Sequence, residues 1–194
     1  MNFKYLLIPL MTIAVFACKE KQKSTSATEE KKEDVPTYFS ITGYFEDQWN
    51  TRRGNPYVLL RIVTLNGKTD SAFVNLDSTL WYGLRAKFDA ADISDKKFLD
   101  QYNFNMFPDE TTGSNHLYYE AKTPELFMRK MDIGADQVTD LVKSVYLETR
   151  LNKGDMVRSQ KLQYVPDRFF QIQEFESSPG APDKNLRMEY HFQY

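Results

Sequence analysis

Apolar and polar residues are ordered so that the chain divides into an apolar leader, a polar stretch and a long segment of mostly strand-like periodicity. In "TYFSITGYFED", Phe39, Ile41, Gly43 and Phe45 alternate with Tyr38, Ser40, Thr42 and Tyr44, which predicts a strand of period two. "WNTRRGNP" breaks the pattern with Gly54 and Pro56 and is expected to be a loop. "YVLLRIVTLNGKTDSAFVNL" predicts a hairpin of residues 57–65 and 68–76, because Asn66-Gly67 accepts the positive φ angles of a type I′ turn.

The period then lengthens. Leu80, Leu84 and Phe88 recur every four residues with Trp81 beside them, predicting a helix capped by Asp77 or Ser78. "SDKKFLDQYNF" predicts a second helix, with Ser94 as cap and Phe98, Leu99 and Tyr102 on one side. "HLYYEAK" has strand character, Thr123-Pro124 suits the start of a short helical turn, and residues 125–142 fit both periods. "KSVYLETRL", "MVRSQKLQYV", "RFFQIQEFE" and "LRMEYHFQY" predict four strands. In the last of these Leu186, Met188, Tyr190, Phe192 and Tyr194 share one face, and Arg187, Glu189, His191 and Gln193 the other, giving one buried and one wet side. The expected fold class is α+β: a single domain with a bent antiparallel β-sheet and two short helices inserted after the third strand. A lipocalin-like β-barrel is the alternative.

The leader changes the picture from fold to location. Lys4 precedes an uncharged, mostly apolar run from Tyr5 to Ala17. This is shorter than the roughly 20 residues a spanning helix needs, so it has the form of a secretory signal. Val15-Phe16-Ala17-Cys18 resembles the lipobox of lipoproteins of Gram-negative bacteria, those of the Bacteroidota type included, and Cys18 is the chain's one cysteine. The resemblance implies cleavage before Cys18 and attachment of lipid to it. The membrane would then be a partner, and the location would be the cell envelope, with the outer membrane favoured. More than one acyl chain is needed for stable anchoring, at about 0.8 kcal/mol per buried methylene. The domains expected are therefore a signal peptide over 1–17, a lipidated cysteine and disordered tether over 18–36, and one globular domain over 37–194. "KEKQKSTSATEEKKEDVP" is too polar to bury a core of its own.

Composition narrows the chemistry. A formal charge of −2 gives no electrostatic case for nucleic acid as a partner. The two histidines, His116 and His191, fall in strand patterns without the clustering of a metal site. Ser94 and Lys97 match the S-x-x-K of β-lactamases, but the companion motifs are missing and helix capping accounts for Ser94. Glu174 and Glu176 sit two apart on a strand, as on a wet sheet surface. Catalytic, cofactor-binding and metal-binding residues are accordingly not assigned, and no cofactor is expected.

"DQWNTRRGNP" places Trp49, Arg52 and Arg53 in the expected loop. These residue types are enriched at binding hot spots, so the three are candidates for ligand or partner contact. The function expected is a membrane-anchored envelope lipoprotein with a non-catalytic domain binding a small apolar or amphipathic ligand, in a cavity lined by Phe and Tyr. The alternative is an accessory subunit docking another envelope protein, with a packed core and an exposed apolar patch.

Overall fold

In the computed structural model, which describes residues 38–194, the alternation at the start of the domain forms a helix, α1 (Ile41–Arg52), and not a strand. Ile41 and Phe45 lie four apart, a step that satisfies both a period of two and a period of 3.6. Two other residues break the tie: Arg52 continues the buried face, and Ser40 caps the helix by accepting from the Gly43 N–H at 3.1 Å. The expected loop at Trp49 to Arg52 is thereby the last turn of α1. The signal peptide, Cys18 and the tether lie outside the described residues.

The hairpin forms as its turn dictates. Strands β1 (Val58–Leu65) and β2 (Lys68–Asn75) pair through Asn66 and Gly67, at φ 48° and 82°. Helix α2 (Ser78–Asp89) comes next, with the Asp77 carboxylate accepting from the Leu80 N–H at 2.8 Å. The second predicted helix shrinks to a single 3-10 turn, Lys96–Phe98, capped by Asp95 in place of Ser94. Tyr102 then opens strand β3 (Tyr102–Asp109). Thr123-Pro124 lies in a bend and turn without helix, and the ambiguous segment after it contains a strand. The remaining strands are β4 (Ser114–Ala121), β5 (Met128–Asp136), β6 (Val142–Lys153), β7 (Met156–Val165), β8 (Phe169–Ser177) and β9 (Lys184–Gln193).

These nine strands of the described residues form one antiparallel sheet in the order β2-β1-β9-β8-β7-β6-β5-β4-β3. Two features of the expected fold are thereby corrected. The helices do not follow the third strand: α1 precedes every strand and α2 follows the second. The sheet is open and not a barrel, because β2 and β3 each pair on one side only among the described residues.

Nine strands about 4.8 Å apart span roughly 38 Å when flat, whereas two helices side by side cover about 20 Å. Buried inner residues nonetheless run from Leu59 on β1 to Tyr102 on β3. The sheet therefore folds round its helices, and Ala91 and Ile93 of the segment after α2 are buried as well. The centre is aromatic. Phe45 of α1 lies 4.8 Å from Phe88, 5.1 Å from Tyr164 and 6.0 Å from Trp81, and Tyr164 stacks on Phe170 at 4.3 Å.

Polar ties hold the two helices. Arg85 of α2 pairs with Glu46 of α1 and, at 2.8 Å, with Asp89. Asp92 accepts from the Thr42 N–H at 2.8 Å, the Ser40 hydroxyl at 3.1 Å and the Ser94 N–H at 2.7 Å. One carboxylate thus caps α1 and pins the segment leaving α2. Asp92→Ala is expected to remove about 1–2 kcal/mol of stability, the range of a lost helix cap, read as a lower midpoint in urea unfolding.

Candidate functional site

Helix α2 positions the site. Its inner face, Trp81, Leu84 and Phe88, is buried against the sheet, while Gly83, Ala86 and Ala90 form a low side. A hollow flanks the helix on each hand. Between α2 and strands β1, β2, β8 and β9 lies one of about 510 Å³, its apolar lining supplied by Val74, Leu80, Leu84, Ile172, Met188 and Tyr190. Between α2 and strands β6 and β7 lies a second of about 400 Å³, reaching Phe127 and Leu151. Gly83 and Lys87, on the exposed side of α2, border both hollows, which together are called the trough.

Gly83 is not explained by its backbone. It sits inside a regular helix without a positive φ, and a Cβ added there would meet nothing within 4 Å. Glycine in a helix interior costs about 0.5–1 kcal/mol relative to alanine. The position is exposed, and a larger side chain there would have open space to occupy.

The charged groups of the first hollow are Arg61, Lys87 and Asp77, and the last is engaged in capping α2. Lys87 reaches towards Glu174 of β8 at 3.7 Å. Glu174 belongs to the inner face and is 6 % exposed, which corrects its expected place on a wet surface. It accepts from Gln160 at 2.7 Å and from Lys184 at 3.1 Å, and Thr149 in turn donates to Gln160 at 3.2 Å. Burial opposes ionisation of Glu174, but these donors and the charge of Lys87 outweigh it and hold the carboxyl below its ordinary value.

A further hollow, of about 490 Å³, is polar and lies largely on the outer face. Glu120, Lys130, Glu148 and Lys161 occur there as successive register partners across β4, β5, β6 and β7. Alternating charges directly opposite each other stabilise the sheet, which accounts for that row without a ligand.

The residues singled out from sequence are not brought together at the trough. Trp49 stacks on Trp81 at 5.6 Å and packs beside Tyr82. Arg52 is buried and committed to Asp167 and to the Gln48 side chain, both at 2.6 Å, tying α1 to the β7–β8 turn. Arg53 is exposed just past the helix end. His116 hydrogen-bonds Asp132 through Nδ1 at 2.7 Å and stacks on Phe107, and His191 meets Glu189 at 3.0 Å. No group of three potential ligands that could hold a metal ion occurs among the described residues. Lys97 pairs with Asp95 at 3.3 Å, away from Ser94.

The trough also differs from the cavity expected. Its lining is chiefly aliphatic, with Tyr190 and Phe127 as its aromatics, because Phe45, Phe88 and Phe170 are packed in the core. Two of its residues do have a sequence signal: Gly83 interrupts a helical pattern, and Arg61 occupies an inward position between Leu59 and Val63.

Compared with protein-family models, curated proteins and solved structures, the chain matches none, so the functional reading rests on the geometry of the trough.

Proposed function

We propose that the domain binds one small amphipathic molecule in the trough beside α2, as the non-catalytic part of a lipoprotein held at the cell envelope through Cys18. The observation that carries this reading is the open space at Gly83, where an apolar hollow of about 510 Å³ runs along a helix that would be more stable without its glycine. Ligand pockets fall in the range of about 300–1,000 Å³, mostly apolar with a few convergent polar groups, and this hollow has that character. No helix among the described residues is long and apolar enough to cross a membrane, and lipid on Cys18 would supply the attachment.

Gly83→Leu tests the reading. The side chain projects into the trough without backbone strain, so binding of a fluorescent alkyl probe is expected to fall at least tenfold while the fold persists. Gly83→Ala is the companion variant and is expected to raise stability by about 0.5–1 kcal/mol in thermal or urea unfolding. Undiminished probe binding by Gly83→Leu would overturn the trough as the site.

One observation favours the second reading, docking onto another envelope protein. Phe104 and Met106 are 48 % and 67 % exposed on the inner side of β3, an edge strand with a free row of backbone groups among the described residues. Exposed apolar surface at a sheet edge is a site for strand addition. Met106→Lys is expected to release a protein-sized partner seen by native mass spectrometry of the envelope-extracted protein, and to leave probe binding intact.

A further inference from the structure

We infer that the ligand of the trough carries an anionic head group and that Arg61 holds it. This rests on the trough being a binding site, and it deepens that reading by naming the ligand's charge.

Arg61 occupies an inward position of β1, opposite Tyr190 of β9, in a phase otherwise filled by Leu59, Val63 and Leu65. Its guanidinium is poorly matched within the protein. Among the described residues its one ion-pair partner is Asp70, which is 78 % exposed and lies 3.5 Å from one terminal nitrogen. Its Nε is buried and makes no hydrogen bond. Buried polar groups are nearly always paired, and a guanidinium presents a planar fork of donors suited to a carboxylate or phosphate. Arg61 also borders the apolar hollow beside Leu84, Ile172 and Met188, with the cation Lys87 on the same rim. An alkyl chain lying on Val74, Leu80 and Met188, the half-buried apolar side chains of the same lining, would bring its head to Arg61. The class of ligand this selects is an acyl or alkyl chain ending in an oxyanion.

The test compares heads on one chain length. Binding of dodecanoate, dodecyl phosphate, dodecyl maltoside and dodecyltrimethylammonium to the full-length protein is measured by titration calorimetry below their micelle concentrations. The two anions are expected to bind about tenfold or more tightly than the neutral and cationic probes. Arg61→Met, which keeps much of the length of the side chain, is expected to abolish that preference and to retain binding of dodecyl maltoside. Arg61→Lys, with the charge but not the fork, is expected to fall between.

Equal affinity for all four probes would overturn the head-group inference while leaving the trough as a binding site. Binding of none would overturn the trough itself. A preference for anions that survives in both Arg61 variants would overturn Arg61 as its holder. The order of dodecanoate and dodecyl phosphate then separates a fatty-acid ligand from a phosphorylated one.

Discussion

Replacing Trp81 by alanine is expected to remove about 3–5 kcal/mol of folding stability, the range for deleting a large buried aromatic. Trp81 is fully buried where α2, α1 and the sheet meet, with Phe45, Trp49, Tyr164 and Phe170 all within 6.4 Å between ring centroids. At a urea dependence of about 2 kcal/mol per molar, the unfolding midpoint should drop by about 2 M. A shift under half that size would show that the helices re-pack across the sheet, and the packing described above would be wrong. The indole Nε1 is buried without a partner, so Trp81→Phe should cost much less than Trp81→Ala.

The second large effect is expected at Glu174. Its carboxyl is held below its ordinary value of 4.5 in the folded domain, by donors that outweigh its burial. A depressed folded value means that the ionised group contributes stability above the unfolded value. That contribution is lost as pH falls through the folded value. Glu174→Gln keeps the shape but removes the charge that faces Lys87 and Lys184, and is expected to cost about 1–3 kcal/mol near neutral pH. At pH below the ordinary value of 4.5 the loss relative to the parent protein should shrink, because the parent's own carboxylate is then being protonated. Urea unfolding at a series of pH values reads this directly. A difference between the two proteins that stays constant down to acid pH would show that the folded domain does not hold this carboxyl below its ordinary value.

The parts of the fold that are legible in the sequence are those where one period or one turn dominates. Asn66-Gly67 determines a hairpin, and the four C-terminal strands alternate cleanly because each has one buried and one wet face. α1 reads as a strand because Ile41 and Phe45 are four apart, and only the later Arg52, an arginine buried by its pairing with Asp167, completes the helical face. The start of β3 reads as helix because it is an edge strand whose apolar residues, Phe104, Met106 and Phe107, are largely exposed, so no burial imposes alternation on them. Glu174 reads as surface because a carboxylate carries no mark in sequence of the lysines that will meet it. Those partners come from α2 and β9, outside its own strand. The trough is hard to read for a similar reason: Ile172 and Met188 have the spacing of core residues, and Ile172 is fully buried, so the pattern does not mark them as lining a hollow.

The sheet order has a consequence for how the chain acquires its structure. Strands β3 to β9 form a continuous meander in which each new strand adds to the one before, yet β1 pairs with β9 on the side away from β2. During synthesis the β1–β2 hairpin therefore waits, with its apolar residues unmatched, until the final strand has emerged. Contacts of such long sequence separation form slowly, since the intervening loop must close first. Among the described residues the joining of β1 to β9 spans the longest stretch of chain of any strand pairing, and it is expected to come late in folding.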